Sequence, residues 1–136
     1  MGASPSRGTL RKSSLDCLSH FLRDQKVVLH IALSNYEAGR RLEYRVRDMF
    51  RRNGFFVVRA AQSKPIDLVC LRSGRSVLVE CKAGRSFLSK KRRQELLDLA
   101  HQAGAAVVLA RRRRRKVELT NLEDGRSLEL GNLSAL

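Results

Sequence analysis

At 136 residues the chain has the length of one ordinary domain and can bury a core without disulfides. Its 28 lysines and arginines against 13 aspartates and glutamates leave a net charge of +15, a field that attracts polyanions, nucleic acid first and anionic membrane surfaces second. Three cysteines, Cys17, Cys70 and Cys81, show no C-x-x-C spacing, which argues against a disulfide framework or a zinc site and fits a reducing, cytoplasmic setting.

Residues 1–34 differ from the rest. They open with Gly, Ser, Pro and Arg and read as an extension, disordered at its start. Met1-Gly2-Ala3-Ser4-Pro5-Ser6 loosely matches a myristoylation pattern of the kind that arises by chance, and no signal peptide is evident. Residues 14–22 have the pattern of a short amphipathic helix. The longest apolar run, residues 27–33, is interrupted by His30 and is far too short to span a bilayer, so no membrane partner is expected.

The remainder, 35–136, has sharper patterns. Residues 36–52 read as a helix with Leu42, Val46, Met49 and Phe50 in one stripe and Glu43 at its edge. Asn53-Gly54 ends it. Residues 55–59 and 66–71 read as strands, separated by the polar loop 61–65. Arg72-Ser73-Gly74-Arg75 is a turn and 77–82 a third strand, so the second and third strands form an antiparallel hairpin. Residues 90–103 form a second helix with Leu96, Leu97 and Ala100 inward and Gly104 beyond its end. Residues 105–110 are a buried-type strand, 111–116 a basic run, and 117–122 and 127–130 flank a turn at Asp124-Gly125. The order is α-β-β-β-α-β with a late hairpin, a small α/β domain whose mixed central sheet is flanked by helices.

Strand alternation puts Glu80 and Lys82 on one face of the third strand. Taken alone they are a strand end emerging into solvent, or a plain ion pair. Asp67 changes this, because the hairpin brings it near Glu80 or Lys82. Two carboxylates that close repel unless one protonates or a cation binds. Hard oxygen ligands suit Mg²⁺, which keeps waters and takes phosphate oxygens, polarises phosphate and activates water. A neighbouring lysine orients that water and stabilises developing charge. The three histidines, His20, His30 and His101, form no cluster.

Pro65-Ile66-Asp67 with Glu80-Cys81-Lys82 resembles the PD-(D/E)xK nuclease signature. Together with Gly39-Arg40-Arg41-Leu42-Glu43 and the run from Gly54 to Ser63, it resembles the archaeal-type Holliday junction resolvases, which also occur in viruses and phages. The likeness extends over about residues 35–122 in register, which makes it far more specific than a lone short motif. It implies a restriction-endonuclease-like fold, with 35–136 as the nuclease domain. It implies metal ligation by Asp67 and Glu80, completed by Glu43 and the Cys81 backbone carbonyl, with Lys82 positioning the attacking water. Ser63 would lie near the scissile phosphate and Arg59 would contact DNA or the active-site loop. Arg41, Lys64, Arg85, Arg111, Arg112 and Arg113 are the further basic candidates for DNA contact. The chain departs from the pattern twice: Ile66 separates the proline from the aspartate, and Tyr44 follows Glu43 where the family often has a basic residue that Arg41, Arg45 or Arg47 would have to replace.

The resemblance implies a homodimeric, Mg²⁺-dependent resolvase, Mn²⁺ being able to substitute, that cuts four-way junctions by paired nicks. A second nuclease of the same fold, of restriction or repair type, and a catalytically silent DNA-binding module are the alternatives. Phe87-Leu88 and the strand 105–110 are candidates for the dimer surface.

Overall fold

The computed structural model describes residues 2–3, 10–60, 65–85 and 87–131. The chain divides into two compact units, Met1–Ser34 and Asn35–Leu136. The elements are α1 (Leu10–Arg52), β1 (Phe56–Arg59), β2 (Leu68–Arg72), β3 (Arg75–Lys82), α2 (Lys90–Ala103), β4 (Ala106–Arg113), β5 (Lys116–Asn121) and β6 (Ser127–Leu128).

The expectation of two helices, one near 14–22 and one starting at 36, is corrected: α1 begins at Leu10 and ends at Arg52. Between Leu10 and Ser34 there is neither glycine nor proline to stop a helix, and Gly39 costs only about 1 kcal/mol in a helix interior. The expected disorder of the first residues and the acylation pattern involve residues 1 and 4–9, which lie outside the described residues.

In the larger unit, α1 ends where Gly54 takes a φ of 81° and Asn53 Nδ2 donates to the Met49 carbonyl at 2.9 Å. The strands form one sheet in the order β1-β2-β3-β4-β5-β6. It is a mixed sheet: β3 and β4 are parallel and the other neighbours antiparallel. A parallel pair needs a crossover, and α2 supplies it. Ser73 and Gly74 both have positive φ, 49° and 75°, the requirement of a two-residue type I′ hairpin between β2 and β3.

Each face of the sheet carries its own core. On one, Leu42, Val46 and Phe50 of α1 pack with Val57, Leu68 and Val79. The Phe50 and Phe55 rings meet edge to face at 5.2 Å. On the other, Leu96 and Ala100 of α2 pack with Leu78, Val107 and Leu109. Truncating Phe50 or Leu96 to alanine would cost about 2–5 kcal/mol at such fully buried positions. Phe56, Val58 and Leu71 on β1 and β2 stay exposed.

Several strand boundaries move: β2 begins at Leu68 rather than at residue 66, and β6 is only Ser127–Leu128. β4 does not stop at Ala110 but continues through Arg113, pairing with β5 as far as Arg113↔Lys116, so the basic run is a hairpin with Arg114 in the left-handed region at φ 55°. Backbone pairing decides this, whatever the side-chain charge, because edge-of-core arginines keep their heads in water. The strand 105–110 also fails as a dimer surface: β4 lies between β3 and β5 with Val107 and Val108 fully buried. Phe87 does remain open, at 85% exposure.

Candidate active site

The C-terminal end of β3 is where the chemistry collects. The β2–β3 register pairs Leu68 with Val79, so one step further sets Asp67 opposite Glu80. Asp67 stands just before β2, in a bend. Its Oδ2 accepts the Cys81 backbone N–H at 2.7 Å, which ties the aspartate to β3 where the ladder stops. Ile66, the residue interposed after Pro65, is buried in the α2-side core and so anchors the chain immediately before Asp67.

Glu80 is 3% exposed. A buried carboxylate needs compensating cations and hydrogen bonds, and two cations meet it. Lys82 Nζ stands 3.2 Å from Oε1. The Arg92 guanidinium, from the first turn of α2, donates through Nη2 to Oε2 at 3.1 Å and through Nε to Oε1 at 3.4 Å. The same Nη2 donates to the Pro65 carbonyl at 2.7 Å. Ser89 caps this helix, accepting the Arg92 N–H at 3.1 Å, and so fixes where Arg92 leaves it. The hydrogen bonds to Glu80 hold the Arg92 pKa above its ordinary value.

Glu43 comes from α1. Its Oε2 accepts from Arg59 Nε on β1 at 2.9 Å, and its side chain is 14% exposed. That ion pair raises the pKa of Arg59. Cys81 follows Glu80 on β3 and donates its backbone N–H to Asp67. Burial drives its thiol pKa upward, and the charges of Asp67, Glu43 and Glu80 push it further the same way. A thiol so buried is a poor nucleophile.

Among the described residues no three His, Cys, Asp or Glu side chains already stand close enough together to hold a metal ion. The donor chemistry nonetheless fits a hard divalent cation: carboxylates and a backbone carbonyl, no imidazole and no thiolate. For Glu80 to serve, it would exchange its hold on Lys82 or Arg92.

The remaining candidates disperse. Arg41 pairs with Glu37 at 3.2 Å on the surface. Arg85 is exposed. Arg111 is half-buried, its guanidinium 5.4 Å from the Phe87 ring centre. Arg112 donates to the Arg114 carbonyl at 3.2 Å, and Arg113 lies 3.7 Å from Glu118 on the β4–β5 hairpin. Ser63 and Lys64 lie outside the described residues. Around Tyr44, where a basic residue was expected, guanidiniums gather: Arg47 at 4.9 Å, Arg59 at 5.2 Å and Arg40 at 5.6 Å from the ring centre. Arg40 also donates to the Tyr44 hydroxyl at 2.9 Å, which lowers the phenol pKa. Arg47 is thus the one of the three expected substitutes that reaches this position, joined by Arg40 and Arg59. Arg92 was missed although it lies four residues before Leu96 and eight before Ala100, the buried line of α2; Arg93 beside it bonds inward as well, to the Leu122 carbonyl, so spacing alone does not single out Arg92.

Comparison with known proteins identifies the family. The family model described as archaeal Holliday junction resolvase (Hjc) matches residues 34–133. The chain is 28% identical over 78 residues to the crossover junction endodeoxyribonuclease Hjc of Methanocaldococcus jannaschii, a match covering 55% of this chain and 59% of that protein. The chain thus matches about three fifths of that relative's length. The crystal structure of Hjc from Archaeoglobus fulgidus, titled a Holliday junction resolvase from an archaeal hyperthermophile, superposes with a TM-score of 0.57 at 21% identity, covering 62% of this chain and 73% of that one. This structural likeness shows that the fold is shared, the restriction-endonuclease-like arrangement expected from the sequence.

Proposed function

The chain belongs to the archaeal Holliday junction resolvase family, and from that membership we propose that it is a structure-selective DNA endonuclease that resolves four-way junctions in DNA recombination and repair. The observation that carries the reading is the meeting of Asp67, Glu80 and Lys82 at the end of β3, with Glu43 of α1 held to β1 by Arg59. The nuclease domain is residues 35–136, with 1–34 as an N-terminal extension.

Asp67, Glu80 and the Cys81 carbonyl would hold Mg²⁺, or Mn²⁺ in its place, with Glu43 completing the set directly or through water. When bound, the metal supplies Lewis-acid polarisation of the scissile phosphate and a more acidic water. The rest falls to the chain. Lys82, 3.2 Å from Glu80, orients the attacking water and faces the negative charge that grows on the phosphorane-like oxygens. Arg92 holds Glu80 and the Pro65 carbonyl in register, so the acid does not swing away between turnovers. Ser63, outside the described residues, would act near the scissile phosphate as the family resemblance implies. Arg41, Arg59, Lys64, Arg85, Arg111, Arg112 and Arg113 supply phosphate contacts, which give most of the affinity.

A four-way junction has approximate two-fold symmetry, and its resolution needs two nicks. A homodimer with a two-fold axis supplies two equivalent sites at fixed spacing. Among the described residues no helix is long and apolar enough to cross a membrane; a DNA-processing role would put the enzyme in the cytoplasm of an archaeal, bacterial or virus- or phage-infected cell.

The test is nicking of a labelled four-way junction in competition with excess linear duplex of the same sequence, with Mg²⁺ or EDTA, at rising salt. Paired nicks symmetric about the branch point, abolished by EDTA and persisting at moderate salt, are expected. Equal cutting of both substrates, or nicks without symmetry, would leave a general nuclease instead.

A further inference from the structure

One side chain beside the site has no part in the nuclease chemistry. Phe87, in the connection between β3 and α2, is 85% exposed, the most open large apolar side chain among the described residues. Single apolar residues on a surface are ordinary; what distinguishes Phe87 is where it stands. Its neighbours are tied down: Leu88 packs against the α2-side core, and Ser89 caps α2 through the Arg92 N–H at 3.1 Å. The ring therefore stands out from an anchored base.

The ring is also joined to the strands that carry the chemistry. β3 and β4 run parallel, with Glu80 beside Leu109 and Lys82 beside Arg111, so all four share one face of the sheet. Arg111 is thus the neighbour of Lys82 across the ladder, and its guanidinium carbon lies 5.4 Å from the Phe87 ring centre. A cation supports one face of the ring. At 85% exposure the other face is open. Arg85, two residues before Phe87, is exposed as well.

Charge decides what the open face fits. An apolar protein surface laid over Phe87 would strip water from the cations around it, Arg85 and Arg111, with nothing to offset the cost. DNA brings phosphates that neutralise such cations and bases that stack on aromatic rings. In continuous duplex each base is covered above and below by its neighbours. Where strands branch the stack is interrupted, and taking a base out of the stack costs least where its pairing or stacking is already lost. A single ring cannot read sequence, because every base has a π-face. It can tell an interrupted stack from a continuous one.

We propose that Phe87 reads the branch: its open face stacks on a base exposed where the stack is interrupted, Arg111 backs the ring, and the neighbouring cations hold the adjoining phosphates. This deepens the resolvase reading and rests on it. It supplies a selectivity for structure that Asp67, Glu80 and Lys82, whose chemistry suits any phosphodiester, do not supply.

The chain has no tryptophan, so Phe87→Trp places a single reporter at the position, and tryptophan emission is lost when a base stacks on the indole. Wild type, Phe87→Trp, Phe87→Leu and Phe87→Ala are compared with EDTA present, by gel shift on a four-way junction and on linear duplex of the same sequence. Melting temperatures should agree within about 2 °C, as at exposed positions. Phe87→Ala and Phe87→Leu should weaken junction binding about 5- to 150-fold and leave duplex binding unchanged, and Phe87→Trp should retain both. Emission of Phe87→Trp should fall on adding junction and not on adding duplex. Equal quenching by both, no quenching with junction shown to be bound, or a leucine variant that binds as wild type does would each overturn the proposal. A changed sedimentation coefficient of free Phe87→Ala would assign the ring to a contact between proteins and overturn it too. Quenching reads stacking with or without cleavage. A wild type that fails to nick thus sinks the resolvase reading, whereas junction-selective binding and nicking undiminished in Phe87→Ala sink this inference alone.

Discussion

Glu80→Gln is the substitution that separates chemistry from binding most cleanly. Glutamine has the same shape and removes one negative charge from a site that is 3% exposed. In the wild type that charge meets Lys82 at 3.2 Å and Arg92 at 3.1 Å. In the variant one side-chain oxygen becomes an NH₂ donor aimed at another donor, so at least one of these pairings breaks. Removing a partner from a fully buried ion pair costs about 3–5 kcal/mol. Lys82 and Arg92 are about one-third exposed and can turn to water, so about 1–2 kcal/mol is the better expectation. For a domain of this size that lowers the melting temperature by roughly 5–10 °C. Cleavage should fall by at least about a thousandfold, since a metal ligand and a fixed charge go together. Junction affinity should hold or rise slightly, because the net charge becomes one unit more positive and phosphate contacts are untouched. The assays are scanning calorimetry, gel-shift binding at fixed salt with EDTA, and single-turnover nicking with Mg²⁺. Equal loss of binding and cleavage in a folded variant would refute the division of labour. A melting temperature unchanged from wild type would refute the buried ion cluster itself.

Arg92→Ala should reduce single-turnover nicking about 10- to 100-fold with duplex binding retained, and Arg92→Lys should recover little, because a point charge cannot reach both Glu80 and the Pro65 carbonyl. Replacing Arg112 and Arg115 with alanine should weaken all DNA substrates alike and lower the slope of log affinity against log salt by about one for each phosphate no longer neutralised. Burial raises the Cys70 thiol from 9.0 to about 12, so above pH 9 the unfolded chain loses this proton and the folded chain keeps it. Stability therefore falls between about pH 9 and pH 12, by about 1.4 kcal/mol per pH unit for this group. Alkaline melts of wild type and Cys70→Ala should show the steeper decline in wild type.

The fold was legible where period and punctuation agreed. Residues 90–103 carry Leu96, Leu97 and Ala100 at helical spacing and Gly104 after them, and α2 occupies those residues. Leu42, Val46 and Phe50 recur at four-residue spacing, and all three are fully or almost fully buried. Legibility failed where the deciding interaction was remote. Nothing local distinguishes Arg111, Arg112 and Arg113 from a solvated loop, but each pairs with β5, and that ladder depends on a strand later in the chain. The start of α1 is hidden for the opposite reason: a composition rich in Ser and Arg suggests an extension, though composition alone carries no stop signal.

The candidate site divides the same way. Asp67, Glu80 and Lys82 could be brought together from strand alternation and one short turn, because a two-residue hairpin leaves little freedom in register. Arg92 reaches Glu80 across 12 residues and Pro65 across 27, distances at which no periodicity survives. Tyr44 lies between these cases. Its place in the pattern suggested a missing cation, and helix spacing alone accounts for two of the three that surround it: Arg40 lies four residues before and Arg47 three after, both one turn away on the same side of α1. The third, Arg59, arrives from β1 because Glu43 draws it there. The positive charge expected at one residue is thus spread over three neighbours. Losing any one of Arg40, Arg47 or Arg59 should therefore matter less than losing Glu43, the acid on which Arg59 depends.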